Sequence, residues 1–203
     1  MRLAVIDYKA GNIRNVFNAF QALGADVFLA RDSKCFDEAD ALVLPGVGHF
    51  KSAMMNLSLM REALVSQVES GKPFLGICLG IQLILSGSSE AQEVEGLNLV
   101  EGVCPRFPDS KTESIPHMGW NNLDLLGEAR LLEGVCGGDW FYFVHSFYPQ
   151  PADDSVVGAT TRHIIDFASV IECGNIYATQ FHPEKSAQAG QKILGNFLSL
   201  VKK

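Results

Sequence analysis

The sequence lacks the cysteine patterns that form a disulfide framework or a cysteine-based metal site. It has five cysteines, an odd number that cannot pair completely within the chain, and no two of them form a C-x-x-C pair. No cluster of histidine and cysteine has the spacing of a zinc site. We therefore expect free thiols in a reducing, cytoplasmic compartment, with no metal and no other cofactor.

Basic residues and long apolar runs are also scarce. Lys and Arg number 16 against 23 Asp and Glu, and the resulting net charge of −7 argues against nucleic acid as a partner. The longest apolar run, residues 73–85, is far shorter than the roughly 20 residues that cross a bilayer. The N-terminal apolar stretch is interrupted by the charge of Asp7, too early for the apolar region of a signal peptide. We expect a soluble protein with no membrane partner.

The first half of the chain alternates short apolar segments with amphipathic ones. The expected strands are 3–6, 26–30, 41–44 and 73–77, and the expected helices are 13–23, 53–68 and 79–85. Strands separated by helices of this length predict an α/β fold, a mostly parallel sheet with helices on both faces.

The second half is richer in strand patterns. Expected strands are 97–103, 115–123, 140–148, 156–161, 168–172 and 176–181, followed by a helix over 186–201. Several of these strands alternate polar and apolar residues, which predicts antiparallel additions to a mixed sheet. The sequence shows no repeat, low-complexity tract or linker, so we expect one domain over residues 1–203.

One cysteine lies between a predicted strand and a predicted helix. Cys78 is the centre of residues 76–80, Gly-Ile-Cys-Leu-Gly. Flanking glycines permit the tight turn that exposes a nucleophile, a helix N-terminus lowers a thiol pKa, and the Leu79 N–H would face an oxyanion formed on attack. The same pattern fits a small buried hydrophobe, because free cysteine is among the most buried residues. The pattern alone leaves both interpretations open.

Two other segments add to this candidate site. His182 and Glu184 flank a proline after the last predicted strand, where His182 could deprotonate a thiol while Glu184 orients the ring. Val47 lies between two glycines at a strand exit, where a backbone N–H could complete an oxyanion hole. Taken singly, a solvated turn explains each segment as well. Their combination with Cys78 at the edge of a sheet makes a candidate triad.

These motifs together resemble a known enzyme family. Residues 76–82 (Gly-Ile-Cys-Leu-Gly-Ile-Gln) and 180–186 (Gln-Phe-His-Pro-Glu-Lys-Ser) resemble the motifs of class I, triad-type glutamine amidotransferases. Within that class, residues 44–50 (Leu-Pro-Gly-Val-Gly-His-Phe) are similar to the glutaminase subunits of imidazole glycerol phosphate synthase. Segments 7–12, 115–121 and 141–146 agree, so the resemblance spans essentially the whole chain.

The resemblance implies a flavodoxin-like fold and a triad of Cys78, His182 and Glu184. In such a site, the cysteine attacks the carboxamide of L-glutamine and the histidine protonates the departing ammonia. Water then releases glutamate from the thioester.

Further site residues follow from the matching positions. By position, the N–H groups of Val47 and Leu79 would form the oxyanion hole, while Gln82 and Glu90 would hold the α-amino and α-carboxylate ends of glutamine. The resemblance also implies a partner, a (β/α)₈-barrel cyclase that receives the ammonia in a heterodimer for histidine biosynthesis. The residues expected to face the cyclase are Asn12, Trp120, Tyr142, His145 and Lys185.

Two other classes of function, an enzyme with the same triad and a binding module, also fit part of this pattern. A cysteine peptidase, or a glutaminase that serves another pathway, would use the same triad with a different acyl group or partner. A binding module with an inactive site would keep the fold alone. The intact triad argues against the binding module, and residues 45–48 (Pro-Gly-Val-Gly) argue against the other enzymes.

Overall fold

Residues 1–202, the part of the chain that the computed structural model describes, contain thirteen strands and five α-helices. The strands are β1 (Arg2–Ile6), β2 (Asp26–Ala30), β3 (Ala41–Gly46), β4 (Phe74–Cys78), β5 (Gly87–Ser88), β6 (Gly102–Cys104), β7 (His117–Asn121), β8 (Asp124–Leu125), β9 (Phe141–His145), β10 (Gln150–Pro151), β11 (Val157–His163), β12 (Ile165–Cys173) and β13 (Ile176–Thr179). The helices are α1 (Ile13–Ala22), α2 (Phe50–Leu57), α3 (Arg61–Glu69), α4 (Leu79–Leu83) and α5 (Ala187–Val201).

Eight of the strands form one mixed sheet in the order β2-β1-β3-β4-β13-β12-β11-β8. The first five in this order run parallel, and the last three are added antiparallel. The apolar runs of β1, β3 and β4 are buried on both faces, as parallel strands between helices require. The predicted α/β class, with its antiparallel additions, is therefore confirmed.

Helices cover both faces of this sheet. Along β1, Leu3 and Val5 belong to one apolar cluster and Ala4 and Ile6 to the other, because successive strand residues point to opposite faces. Helices α1 and α5 cover the first face, where the rings of Phe20 and Phe197 pack edge to face. Helices α2, α3 and α4 cover the second face.

The single helix expected over 53–68 is two helices. Helix α2 ends at Leu57 and α3 begins at Arg61, with the Ser58 hydroxyl donating to the carbonyl of Met55 over 2.7 Å. Side-chain hydrogen bonds of this kind compete with the helical backbone. Leu59 is almost fully exposed in the break. The apolar stripe continues across the break, so periodicity gave no sign of it.

The second half departs further from the expected strands. Of the strand expected over 97–103, only Gly102 and Val103 are strand, as part of β6. The backbone N–H groups of residues 97–100 instead donate to carbonyls at and just after the end of α4, those of Leu83, Ile84 and Leu85. Strands β7 and β9 pair with each other in a separate two-stranded sheet instead of joining the main one. Three two-residue strands, β5, β8 and β10, were not predicted.

The carboxyl ends of β3, β4 and β13 meet at one edge of the sheet. Gly46 pairs with Cys78, and Thr179 pairs with Ile77, so the segments that follow these strands lie side by side. Such an edge is the usual ligand site of a parallel α/β sheet. Among residues 1–202, no helix is both long and apolar enough to cross a membrane, and no group of His, Cys, Asp and Glu has the arrangement of a metal site.

Candidate active site

Cys78 is held on a strained turn between β4 and α4. Its φ of 56° and ψ of −103° are unusual for a residue with a side chain, and the turn is the strand-to-helix bend expected for a nucleophile. A Cβ on Gly76 would lie 2.9 Å from the backbone of Gly80, and a Cβ on Gly80 would lie 2.1 Å from the carbonyl oxygen of Leu44. Both glycines are therefore needed to bring α4 against the sheet.

Gly80→Ala is expected to lower the free energy of unfolding by about 1–3 kcal/mol or more, because the backbone carbonyl of Leu44 cannot move aside as a flexible side chain would. Gly195→Ala is the matched control, since this helical glycine has no neighbour within 4 Å of an added Cβ. The control should be neutral or stabilising by about 0.5–1 kcal/mol. Urea unfolding of both variants measures the difference, and equal stabilities would contradict the tight packing at Gly80.

His182 and Glu184 form a buried pair beyond the end of β13. The Nδ1 of His182 lies 2.7 Å from Oε1 of Glu184, and the side chains of both residues are fully buried. The amide nitrogen of Asn12 donates to the same carboxylate oxygen over 2.6 Å. The Ser186 hydroxyl donates to the His182 carbonyl, which fixes the short turn that carries both residues. Glu184 therefore orients the ring and selects the tautomer with a proton on Nδ1.

The free nitrogen of this ring is the one a thiol would use. Nε2 of His182 is buried and has no hydrogen-bond partner among residues 1–202. Burial lowers the pKa of His182, but the neighbouring Cys78 sulfur and the Glu184 carboxylate stabilise the charged ring and raise the pKa to about 9. A protonated His182 at neutral pH is the partner that a cysteine thiolate requires. The structure thus brings the three residues of the sequence-predicted triad together.

A cavity of about 300 Å³ opens beside Cys78. This volume lies at the lower end of the range for small-molecule sites. The residues predicted for the oxyanion hole and for substrate binding all line it, and the rest of the wall comes from the end of β9, the two residues after it and the proline before β7. The lining residues are Val47, Gly48, Cys78, Leu79, Gln82, Glu90, Pro116, Val144, His145, Ser146 and Phe147.

Hydrogen bonds hold both predicted substrate-binding residues in place. Oε2 of Glu90 accepts a 2.6 Å hydrogen bond from the backbone N–H of Phe50, the first residue of α2. Nε2 of Gln82 donates to the carbonyl of Phe147 over 3.1 Å and to Oε1 of Gln180 over 3.0 Å. The cavity therefore presents a carboxylate and an amide whose positions are fixed before any ligand enters.

Aromatic and basic side chains form a surface cluster beside the triad. Trp120 is half exposed and packs edge to face against Tyr142, and the Lys185 ammonium lies 5.6 Å from the centre of the Tyr142 ring. The backbone N–H of His182 donates to the Tyr142 carbonyl, so this surface is directly tied to the triad. Exposed aromatics of this kind are typical of protein interfaces.

His145 is placed differently from the expectation. It was predicted to face a partner, but only 6% of it is exposed, and its Nδ1 lies 2.8 Å from the Phe147 carbonyl in the cavity wall. Strand alternation explains this placement: Tyr142 and Val144 point outwards on β9, whereas Phe141, Phe143 and His145 point inwards. Asn12, assigned to the same partner surface, is half-buried and supports Glu184.

Gln180 is a site residue that sequence reasoning missed. It is fully buried between β13 and His182, and its Nε2 lies 3.9 Å from the Cys78 sulfur. The residue stood within a recognised motif, but only the pairing of β13 with β4 brings it beside the nucleophile. Position in the motif was the one signal in the sequence.

Comparisons with known proteins agree over nearly the full length of the chain. A family model described as glutamine amidotransferase class-I matches residues 4–201. The chain is 48% identical over 200 residues to the imidazole glycerol phosphate synthase subunit HisH of Methanothermobacter thermautotrophicus, covering 98% of this chain and 99% of that protein. It is 46% identical over 201 residues to a subunit HisH 1 of Campylobacter jejuni, covering 98% and 100%. A crystal structure of a glutamine amidotransferase is similar in fold, with a TM-score of 0.78 at 20% identity over 99% of both chains.

Proposed function

Because the chain belongs to the class-I glutamine amidotransferase family, we propose that it is the glutaminase subunit of an imidazole glycerol phosphate synthase. It hydrolyses L-glutamine to glutamate and ammonia and supplies the ammonia to a cyclase partner in histidine biosynthesis. The observation that carries this proposal is the meeting of Cys78, His182 and Glu184 beside a cavity of about 300 Å³, in a chain similar along its length to subunits of that enzyme.

The reaction proceeds through a thioester on Cys78. The sulfur attacks the side-chain carboxamide carbon and forms an S–C bond, and the electron pair of the C=O bond moves to oxygen. His182 gives a proton to the amide nitrogen, and the C–N bond breaks to release ammonia. Water then attacks the thioester, His182 takes a proton from that water, and the S–C bond breaks to release glutamate and the sulfur.

The groups around this reaction have separate roles. The backbone N–H groups of Val47 and Leu79 stabilise the oxyanion, and both residues line the cavity on the side of Cys78. Glu90 attracts the α-ammonium group of glutamine, and its hydrogen bond to Phe50 keeps the carboxylate in position. Gln82 contacts the amino-acid end of the substrate from the same wall.

The cyclase docks as a (β/α)₈ barrel on the surface formed by Trp120, Tyr142 and Lys185. This surface borders the triad, so a barrel seated there would receive ammonia without its release to solvent. Asn12, which donates a 2.6 Å hydrogen bond to Glu184, is the other residue that we assign to this contact. His145 does not join this surface in our proposal, because it lies in the cavity wall.

Reconstitution with a barrel cyclase tests the function. The purified chain is mixed with the cyclase, its ribonucleotide substrate and glutamine, and formation of imidazole glycerol phosphate is followed. We expect glutamine-dependent product in this mixture and none with the synthetase subunit of an unrelated amidotransferase. Glutamine hydrolysis that couples to another partner, or no hydrolysis with any partner, would contradict the proposal.

A further inference from the structure

A chain of hydrogen bonds through Gln82 and Gln180 connects the cavity wall to the sulfur of Cys78. Nε2 of Gln180 lies 3.9 Å from that sulfur, and Oε1 of Gln180 accepts a hydrogen bond from Nε2 of Gln82 over 3.0 Å. Nε2 of Gln82 also donates to the carbonyl of Phe147 over 3.1 Å. Cys78, Gln82 and Gln180 are buried and Phe147 is partly buried, so each contact orients the next.

The Phe147 carbonyl determines which side-chain atom donates and which accepts at each step of this hydrogen-bond chain. A carbonyl oxygen accepts hydrogen bonds and cannot donate them, so Gln82 must turn its NH₂ group towards Phe147. The same NH₂ group faces Gln180, whose oxygen must therefore point back at Gln82. Exchanging the nitrogen and oxygen of Gln180 would place two NH₂ groups 3.0 Å apart. The NH₂ group of Gln180 consequently faces Cys78.

One histidine holds the Phe147 carbonyl, and a second histidine fixes the tautomer of the first. His145 donates from Nδ1 to this carbonyl over 2.8 Å, which leaves its Nε2 to accept from Nδ1 of His117 over 3.1 Å. Nε2 of His117 in turn lies 3.2 Å from the amide nitrogen of Asn121. Burial lowers the pKa of His145 to about 3 and that of His117 to about 4, so both rings stay neutral and keep these tautomers near neutral pH.

We propose that Gln180 donates a hydrogen bond from its side-chain amide to the Cys78 thiolate, and that Gln82 and His145 are the positioning residues that impose this orientation. The proposal rests on the proposed function, since it assigns a new donor to the same nucleophile. A thiol is a weak acceptor and an ionised sulfur a much stronger one. The donor therefore favours the charged sulfur, both before attack and when the S–C bond breaks and its electron pair returns to sulfur.

The Gln180 amide is distinct from the other groups assigned to the reaction. The oxyanion-hole N–H groups act on the substrate oxygen, and His182 exchanges a proton with the substrate. Gln180 acts on the sulfur alone and should not touch glutamine. Its loss should therefore lower kcat by about tenfold while KM changes by less than about twofold.

Alkylation of the thiols by iodoacetamide across a range of pH tests this proposal. Gln180→Met removes the donor and keeps the length of the side chain, whereas Gln180→Asn keeps an amide that is too short to reach the sulfur. In both variants the pH at half-maximal alkylation of Cys78 should rise by about 1–2 units, the effect expected for a hydrogen bond to a charged group. Peptide mass spectrometry follows each cysteine separately.

Two other cysteines serve as controls in the same samples. Exposed Cys136 should show one unchanged profile in every variant, and buried Cys104 should stay unreactive wherever the fold is intact. Gln191→Met, an exposed change on α5, should leave the Cys78 profile unaltered.

The outcomes separate this proposal from the proposed function. A reactive Cys78 whose profile is the same in the unaltered chain and in both folded Gln180 variants would overturn the role of Gln180 only. A Cys78 that reacts no faster than Cys136 at neutral pH in the unaltered chain would overturn the triad, and the role of Gln180 with it.

Discussion

Cys78→Ala should abolish glutamine-dependent synthesis, with a loss of about 10⁴-fold or more, and leave synthesis from free ammonium intact. The variant loses the sulfur that forms the thioester, so no ammonia is released from glutamine. The cyclase carries out the synthetic step itself, so added ammonium can replace the ammonia that is no longer released from glutamine. Parallel assays of the complex with glutamine and with an ammonium salt measure the two activities.

Cys136→Ala is the matched control for this prediction. Cys136 is an exposed free cysteine, and its replacement should leave both activities unchanged. Thermal unfolding of the Cys78→Ala chain checks that the variant is still folded. A Cys78→Ala complex that consumes glutamine at a rate comparable to the unaltered complex would exclude Cys78 as the nucleophile.

Glutamine hydrolysis by the isolated subunit should be slow and should rise by about 10²–10³-fold when a cyclase carrying its ribonucleotide ligand docks. One oxyanion-hole donor is worth this much in kcat. We predict that the Val47 N–H supplies it and that the peptide turns inwards only in the loaded complex. The energy for this turn comes from contacts that favour the active state, through Tyr142 and Lys185 on the docking surface.

Gly48→Ala tests the turning of this peptide without crowding the site. Gly48 has a φ of 127°, which L side chains rarely adopt, and an added Cβ would meet no atom within 4 Å. Gly46 is a poorer choice, because a Cβ there would lie 2.0 Å from the Tyr8 hydroxyl. The Gly48 variant should therefore meet no steric clash, but its backbone should resist this φ, and its response to the loaded cyclase should be blunted.

Hydrolysis rates are compared for the subunit alone, with empty cyclase and with loaded cyclase. Gly174→Ala is the control, since Gly174 also has a positive φ and open space but lies in the turn between β12 and β13, at the end of β13 that is remote from His182. Equal rates in the three states of the unaltered chain would contradict control by the partner. An undiminished response in the Gly48 variant would place the control elsewhere.

The sequence predicted the parts of this molecule that depend on neighbouring residues. The apolar runs of β1, β3 and β4 and the stripe of α1 follow local periodicity, and the strand–cysteine–helix order predicts the position of Cys78. The parallel order of the strands then places residues 44–50 and His182 at the same edge. The triad could be assembled from these local patterns together with the family resemblance.

The parts that were missed depend on contacts between distant segments. The break after α2 follows from a side-chain hydrogen bond at Ser58 that leaves the apolar stripe unchanged. Nothing near β7 and β9 in the sequence indicates that they pair with each other rather than with the main sheet. Likewise, Gln180 meets Cys78 across 102 positions of the chain, and His145 turns inwards because of the alternation of β9.

Covalent trapping by a chloromethyl ketone analogue of glutamine tests the assignment of the nucleophile most directly. The sulfur displaces chloride and forms a stable S–C bond, so intact mass and peptide mapping locate the modified residue. We predict one adduct, on Cys78, that forms more slowly when glutamine is present and removes glutamine hydrolysis in proportion to labelling. An adduct on Cys136 or Cys35 with Cys78 unmodified, or undiminished hydrolysis by fully labelled Cys78, would contradict the assignment.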